Sequence, residues 1–167
     1  MYNRKFIYAS EFTSYKFKKY LDYKIAIEDK WELIYKVIIL IFDKKINRRY
    51  LDKLDIHDLY YIYSFIETYV KEIIINKFKA LGVESIEAEE SVFDEYDKEE
   101  GYIKEKEPSV YENLLEIFNN TIRFSIKQCK NSLKESMDMD ICGLLDYIKY
   151  EMDYLEEHKE DEEDYLD

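Results

Sequence analysis

A chain of 167 residues, 47% hydrophobic and 17% aromatic, has ample material for one core, and its three glycines and single proline exclude turn-rich β-sandwiches and barrels. The glycines stand at 82, 101 and 143, a spacing that also excludes phosphate loops, dinucleotide fingerprints and nucleophile elbows. A formal charge of −13 sets the chain against direct binding of nucleic acid, whose phosphates repel it.

That charge is concentrated. Residues 83–108 hold 11 acids and three lysines, and residues 151–167 hold ten acids and one lysine, so the remainder of a chain totalling −13 is net +4. The expected fold is mainly α: one domain over residues 1–167, a bundle of about five helices, with an acidic inter-helix arm at 84–107 and an acidic tail at 156–167.

In chain order, "SEFTSYKFKKYLDYKI" carries Phe12, Tyr15 and Lys19 at helical spacing with Phe17, Tyr20 and Leu21. Tyr23, Ile25 and Ile27 then alternate, which predicts a short helix followed by an extended stretch. Trp31, Ile34, Tyr35, Ile38, Ile41 and Phe42 keep the 3.6-residue period while Val37, Ile39 and Leu40 fill the other side. An all-round apolar helix of this kind is expected at the centre of the fold. Its run "VIILIF" lies between Lys36 and Asp43, far short of the roughly 20 residues a bilayer requires.

"LDIHDLYYIYSFIETYVKEIIINKFKALG" is the clearest helix. Asp55 is placed to cap it, Asp58 lies in the first turn, Lys77 and Lys79 lie near the end, and Gly82 supplies the stop. It bears two apolar stripes: Ile56, Leu59, Tyr63, Ile66, Val70, Ile73 and Leu81, and then Tyr61, Phe65 and Tyr69 with Ile62 and Ile74. Either the domain wraps both, or one stripe is left for a partner.

Within the arm, Val92, Phe93, Tyr96, Tyr102 and Ile103 punctuate the acids. Those side chains either dock the arm on the domain or serve as contact points for another protein. Beyond Pro108, Ser109 and Glu112 have capping-box spacing, and Val110, Leu114, Ile117, Phe118, Ile122, Ile126 and Cys129 form an inward face. The last helix aligns Ile141, Leu144, Leu145, Ile148, Met152 and Leu155, with Asp138 or Asp140 as cap.

Chemistry-bearing patterns are lacking. His57 and His158 are far apart and match no zinc spacing. "DEYDKEEG" fails as a calcium loop, since Gly101 at the sixth position puts Tyr96, Lys98 and Glu100 where Asp or Asn is needed. The acids lie in hydrophilic runs rather than in an apolar pocket that could separate their pKa values. The expectation is a protein with no catalytic activity, no cofactor and no metal. The N-terminal "MYNRKFIYASEF" has no signal-peptide core, and Cys129 and Cys142 suit buried free thiols, so the expected location is the cytoplasm of a bacterial host.

Three stretches, "YKFKKYLDYKIAIEDKWELIYKV", "LDKLDIHDLYYIYSFIETYVKE" and "MDICGLLDYIKYEMDYLEE" with its acidic end, give an order of elements that resembles the tail assembly chaperones of phages of Gram-positive bacteria. The resemblance implies a non-enzymatic protein that shields apolar surfaces of tape-measure or tail-tube subunits until assembly. It implies partner-facing helix residues, with Tyr61, Phe65, Tyr69, Leu145, Ile148 and Met152 as candidates, and the long acidic insertion departs from the family's pattern.

A second expectation follows from charge. Dense carboxylates, with Glu89, Glu90, Asp94 and Asp97 of the arm foremost and Phe93 and Tyr96 beside them, suit an anti-defence inhibitor of anti-CRISPR type that mimics nucleic acid and fills a basic nuclease groove. A structural subunit retained in a virion is a third reading, and self-association is open in each.

Overall fold

The computed structural model describes residues 11–43, 46–83 and 108–158. Helix α1 (Ser14–Ala26) opens on Thr13, whose hydroxyl accepts the Lys16 N–H, and α2 (Lys30–Phe42) opens on Asp29, whose carboxylate accepts the Glu32 N–H. A single turn, α3 (Arg48–Leu51), starts on Asn47. Helix α4 (Ile56–Tyr69) is capped by Asp55 and runs through a π-helical turn (Val70–Ile75) into α5 (Asn76–Ala80). Gly82, at φ +84°, ends it, a conformation that costs a residue without Cβ little. Helix α6 (Val110–Lys127) carries the complete Ser109–Glu112 capping box, α7 (Leu133–Asp138) a second box from Ser132 and Glu135, and α8 (Ile141–Glu157) is capped by Asp140.

Five of these helices are long, and no strand occurs among the described residues, so the chain is a single all-α bundle as expected. Helix α1 is its axis. It packs against α2, α6, α7 and α8, and Phe17, Tyr20 and Leu21 are buried completely or nearly so. The Ser14 N–H donates to the Met139 carbonyl at 2.8 Å and the Ile141 N–H to the Phe12 carbonyl at 3.0 Å, which clips the start of α8 to the start of α1.

Four local expectations need correction. Helix α1 continues through Tyr23 and Ile25 to Ala26, and only Ile27 is extended. The alternation there is three residues deep, too short to outweigh Lys24, which anchors the last turn to α4 by an ion pair with Glu67 at 2.9 Å. The central position belongs to α1 and not to α2, which buries Ile34, Val37, Ile38 and Ile41 and leaves Trp31 exposed. In α6, Ile126 is exposed, and Thr121 and Ser125 turn inward where α7 packs close. The hydroxyls of Ser125 and Ser136 lie 3.0 Å apart and satisfy each other in that contact.

The fourth correction lies in the long stripe. Ile56 and Ile73 are exposed, and the buried series is Leu59, Ile66, Val70, Ile74 and Phe78. A π turn closes i→i+5 hydrogen bonds and adds a residue to the helical circuit, so inward positions from Ile66 onward recur every four residues. The extra residue carries Phe78 under α1, against Phe17 at 5.8 Å between ring centroids.

Candidate partner-binding face

Helices α2 and α4 leave a groove between them. Phe12, Ile41, Phe42, Ile62 and Ile66 line it with Tyr61, Phe65 and Tyr69, it encloses about 470 Å³, and Asp140 is the single charged residue on its wall. Its volume and apolar lining fall within the range of ligand-binding clefts.

Tyr61 and Phe65 form its outer wall at 77% and 68% exposure, the two most exposed large hydrophobic side chains among the described residues. They are one helical turn apart, so both rings stand on one side of α4. Neither has a described hydrogen bond or ring partner that would hold it in place. Tyr69 is different. Its ring is half-buried, tilted against Phe12 at 6.2 Å, and its hydroxyl sits 3.4 Å from Cys142 Sγ. Burial, aided by that contact, pushes the Tyr69 hydroxyl well above the usual tyrosine range, so it remains a neutral group at the inner end of the groove.

The other expected contact residues fall elsewhere. Leu145 and Ile148 are 1% and 2% exposed: both are core, because the face of α8 that carries them is the one packed on α1, α5 and α6. Met152 lies half-buried against the same core, and α8 turns Tyr150 and Tyr154 outward instead. These side chains do not join Tyr61 and Phe65 on one surface. Glu89, Glu90, Phe93, Asp94, Tyr96 and Asp97 lie outside the described residues, as does the tail beyond His158.

A second constellation holds the rear of α4. Lys24 Nζ donates to Glu67 Oε2 at 2.9 Å and to the Tyr63 hydroxyl at 3.0 Å, and it stands 4.7 Å over the Tyr111 ring, 5.6 Å over Tyr63 and 5.8 Å over Tyr20. The Tyr20 hydroxyl completes the cage by donating to Glu67 Oε1 at 2.9 Å. An ammonium among ring faces gains cation–π attraction that partly offsets its lost hydration. Burial alone lowers the affinity of Lys24 for its proton, but hydrogen bonds to Glu67, Tyr111 and Tyr63 reverse this and hold its pKa above the ordinary lysine value. Burial first, then the Glu67 charge, pushes Tyr20 far above the usual range as well. The residues missed from the sequence here are Tyr20, Lys24, Tyr63, Glu67 and Tyr111, although the pairs Tyr20/Lys24 and Tyr63/Glu67 each have the i,i+4 spacing that puts them on one face.

Both buried groups bind protons more tightly folded than unfolded, so the stability they contribute is full below about pH 10, the unfolded tyrosine value, and is lost as pH rises above it. Each group then favours the unfolded chain by about 1.4 kcal/mol per further pH unit. Thermal melts should show a Tm that falls steeply above about pH 10. A Tm unchanged at about pH 11 would contradict the closed cage.

Among the described residues no group of His, Cys, Asp and Glu is arranged to hold a metal ion, and no helix is long and apolar enough to cross a membrane. No protein-family model matches the chain, and neither the curated proteins nor the solved structures give a match to it.

Proposed function

We propose that the chain is a non-enzymatic helix-binding module, an assembly chaperone or adaptor of the phage tail type, that receives an apolar helix of a partner protein in the α2–α4 groove. The observation that carries this reading is the exposure of Tyr61 and Phe65 beside a hollow lined almost wholly by hydrocarbon and aromatic side chains. An amphipathic helix presents anchors at i, i+3, i+4 and i+7, which suits a furrow running between two helices. Aromatic walls give such a contact large area and little entropy to lose.

The test begins with affinity purification from the native host or from infected cells, identification of the partner, and titration of the purified pair. Replacing Tyr61 and Phe65 together with alanine should weaken binding by about 100-fold or more, as expected for anchors worth at least about 2 kcal/mol. Both side chains are exposed, so Tm and helical circular dichroism should be unchanged. Undiminished binding overturns the reading, and so does a double variant that unfolds. Affinity should also vary little with salt, in contrast to capture of a basic nuclease by carboxylates, which weakens as salt rises.

A further inference from the structure

Phe12 is part of the wall of the α2–α4 groove, 8% exposed, and only Glu11 precedes it among the described residues. Its place is fixed. The Phe12 carbonyl accepts the Ile141 N–H at 3.0 Å, and its ring centroid stands 6.2 Å from that of Tyr69 and 6.1 Å from that of Phe17. Residues 1–10, "MYNRKFIYAS", are therefore covalently tethered to the inner end of the groove, where Tyr69 lies. We infer that this segment occupies the groove while no partner is bound, with Phe6 and Tyr8 set against Phe65 and Tyr61, and that an incoming partner helix displaces it. The inference rests on reading the α2–α4 groove as the interaction surface, and it adds how access to that surface is controlled.

Reach and charge both select this occupant. At the rise of an α-helix, Tyr61 stands about 12 Å along α4 from Tyr69. Extended chain covers about 13 Å between Phe12 and Tyr8, so the segment is long enough to run the length of the exposed wall. Phe6 and Tyr8 alternate, which lets both rings face one side of such a strand. The charges match as well. Asp140 is on the groove wall, and Asp58, exposed and without an ion pair among the described residues, lies one turn beyond Tyr61 on the same side of α4. Residues 1–10 carry Arg4 and Lys5 and no acid, a net +2. The two long stretches that also lie outside the described residues, the arm and the tail, are acidic, and these carboxylates repel them. A short tether sets an effective concentration in the millimolar range, so contacts too weak to join separate molecules keep the groove covered from within one chain.

Photo-cross-linking of the full chain tests this. With Tyr61 replaced by p-benzoylphenylalanine and the protein irradiated at micromolar concentration, peptide mapping should find links within the same molecule to residues 2–8. Phe6→Glu combined with Tyr8→Glu should abolish most of these links. In the otherwise natural chain the same double variant should bind Nile red, a neutral apolar dye, at least about tenfold more tightly than the wild type, with the circular dichroism spectrum unchanged, because the tethered competitor is gone. Links that fall elsewhere in the chain or on another molecule overturn the inference, as does a dye affinity equal in wild type and variant. A double variant that unfolds also overturns it, since Phe6 and Tyr8 would then be permanent core and not a displaceable occupant. If links to residues 2–8 are absent while the Tyr61 and Phe65 alanine variant still loses its protein partner, the tethered occupant fails and the proposed function stands. Links to residues 2–8 together with undiminished partner binding by that alanine variant sink the proposed function alone.

Discussion

Replacing Phe17 with alanine should destabilise the protein by about 4 kcal/mol, a large share of the 5–15 kcal/mol typical of a domain, and leave it partly unfolded at physiological temperature. The ring is fully buried and stands at the crossing of the bundle. It meets Phe118 of α6 edge-on at 5.6 Å, Phe78 of α5 at 5.8 Å, Phe12 edge-on at 6.1 Å and Tyr20 at 6.3 Å. Removing it leaves a cavity bounded by other rings, which cannot collapse without dragging their helices. Phe17→Leu keeps most of the volume and should cost about 1.5 kcal/mol or less. Denaturant melts of the two variants check this, and a Phe17→Ala loss no larger than that of Phe17→Leu would show that the cluster relaxes freely.

The same ring shows what the sequence conveyed and what it did not. Helical period alone placed Phe17, Tyr20 and Leu21 together, and capping chemistry gave the starts of α4, α6 and α8, because those features depend on residues within a turn of one another. Phe78 was invisible to a 3.6-residue period, since the π turn that shifts it inward packs on α8 and Phe78 itself meets Phe17 of α1, contacts that a local pattern does not contain. Helix α7 was legible and overlooked: Ser132 and Glu135 have the same capping-box spacing as Ser109 and Glu112, but the apolar content that follows is meagre. For the candidate site, the doubled stripe on α4 signalled surplus apolar surface, and one wall of the groove was therefore visible. The opposite wall was not. Phe12, Ile41 and Phe42 come from chain segments about 20 to 50 residues away from it, a tertiary juxtaposition outside the reach of periodicity. Leu145 and Ile148 mark the reverse error, since an apolar stripe reads the same whether the helix faces a core or a partner.

Helix α4 forms one wall of the groove, and the Lys24 cage ties the rear of that helix to α1. Lys24→Met should cost about 3 kcal/mol, because it removes the counter-ion from the Glu67 carboxylate in a largely enclosed site. Methionine nearly matches the lysine stem in length, so the loss reports the charge and its hydrogen bonds more than packing. Removing both charges together with the Tyr20 hydroxyl should behave differently, with the Tyr63 and Tyr111 hydroxyls, both half-buried, left in place. In the triple variant Tyr20→Phe, Lys24→Met and Glu67→Leu, no charge or hydroxyl of the trio is left unpaired, and stability should return to within about 1 kcal/mol of the wild type or exceed it. Urea titrations of the single and triple variants measure the difference directly. A triple variant less stable than Lys24→Met would show that the cage stabilises by net attraction. One that regains stability would mean that the ion pair chiefly fixes where α1 and α4 meet, and the cost should then appear at the face itself, as weaker occupancy of the groove with no residue of its lining changed.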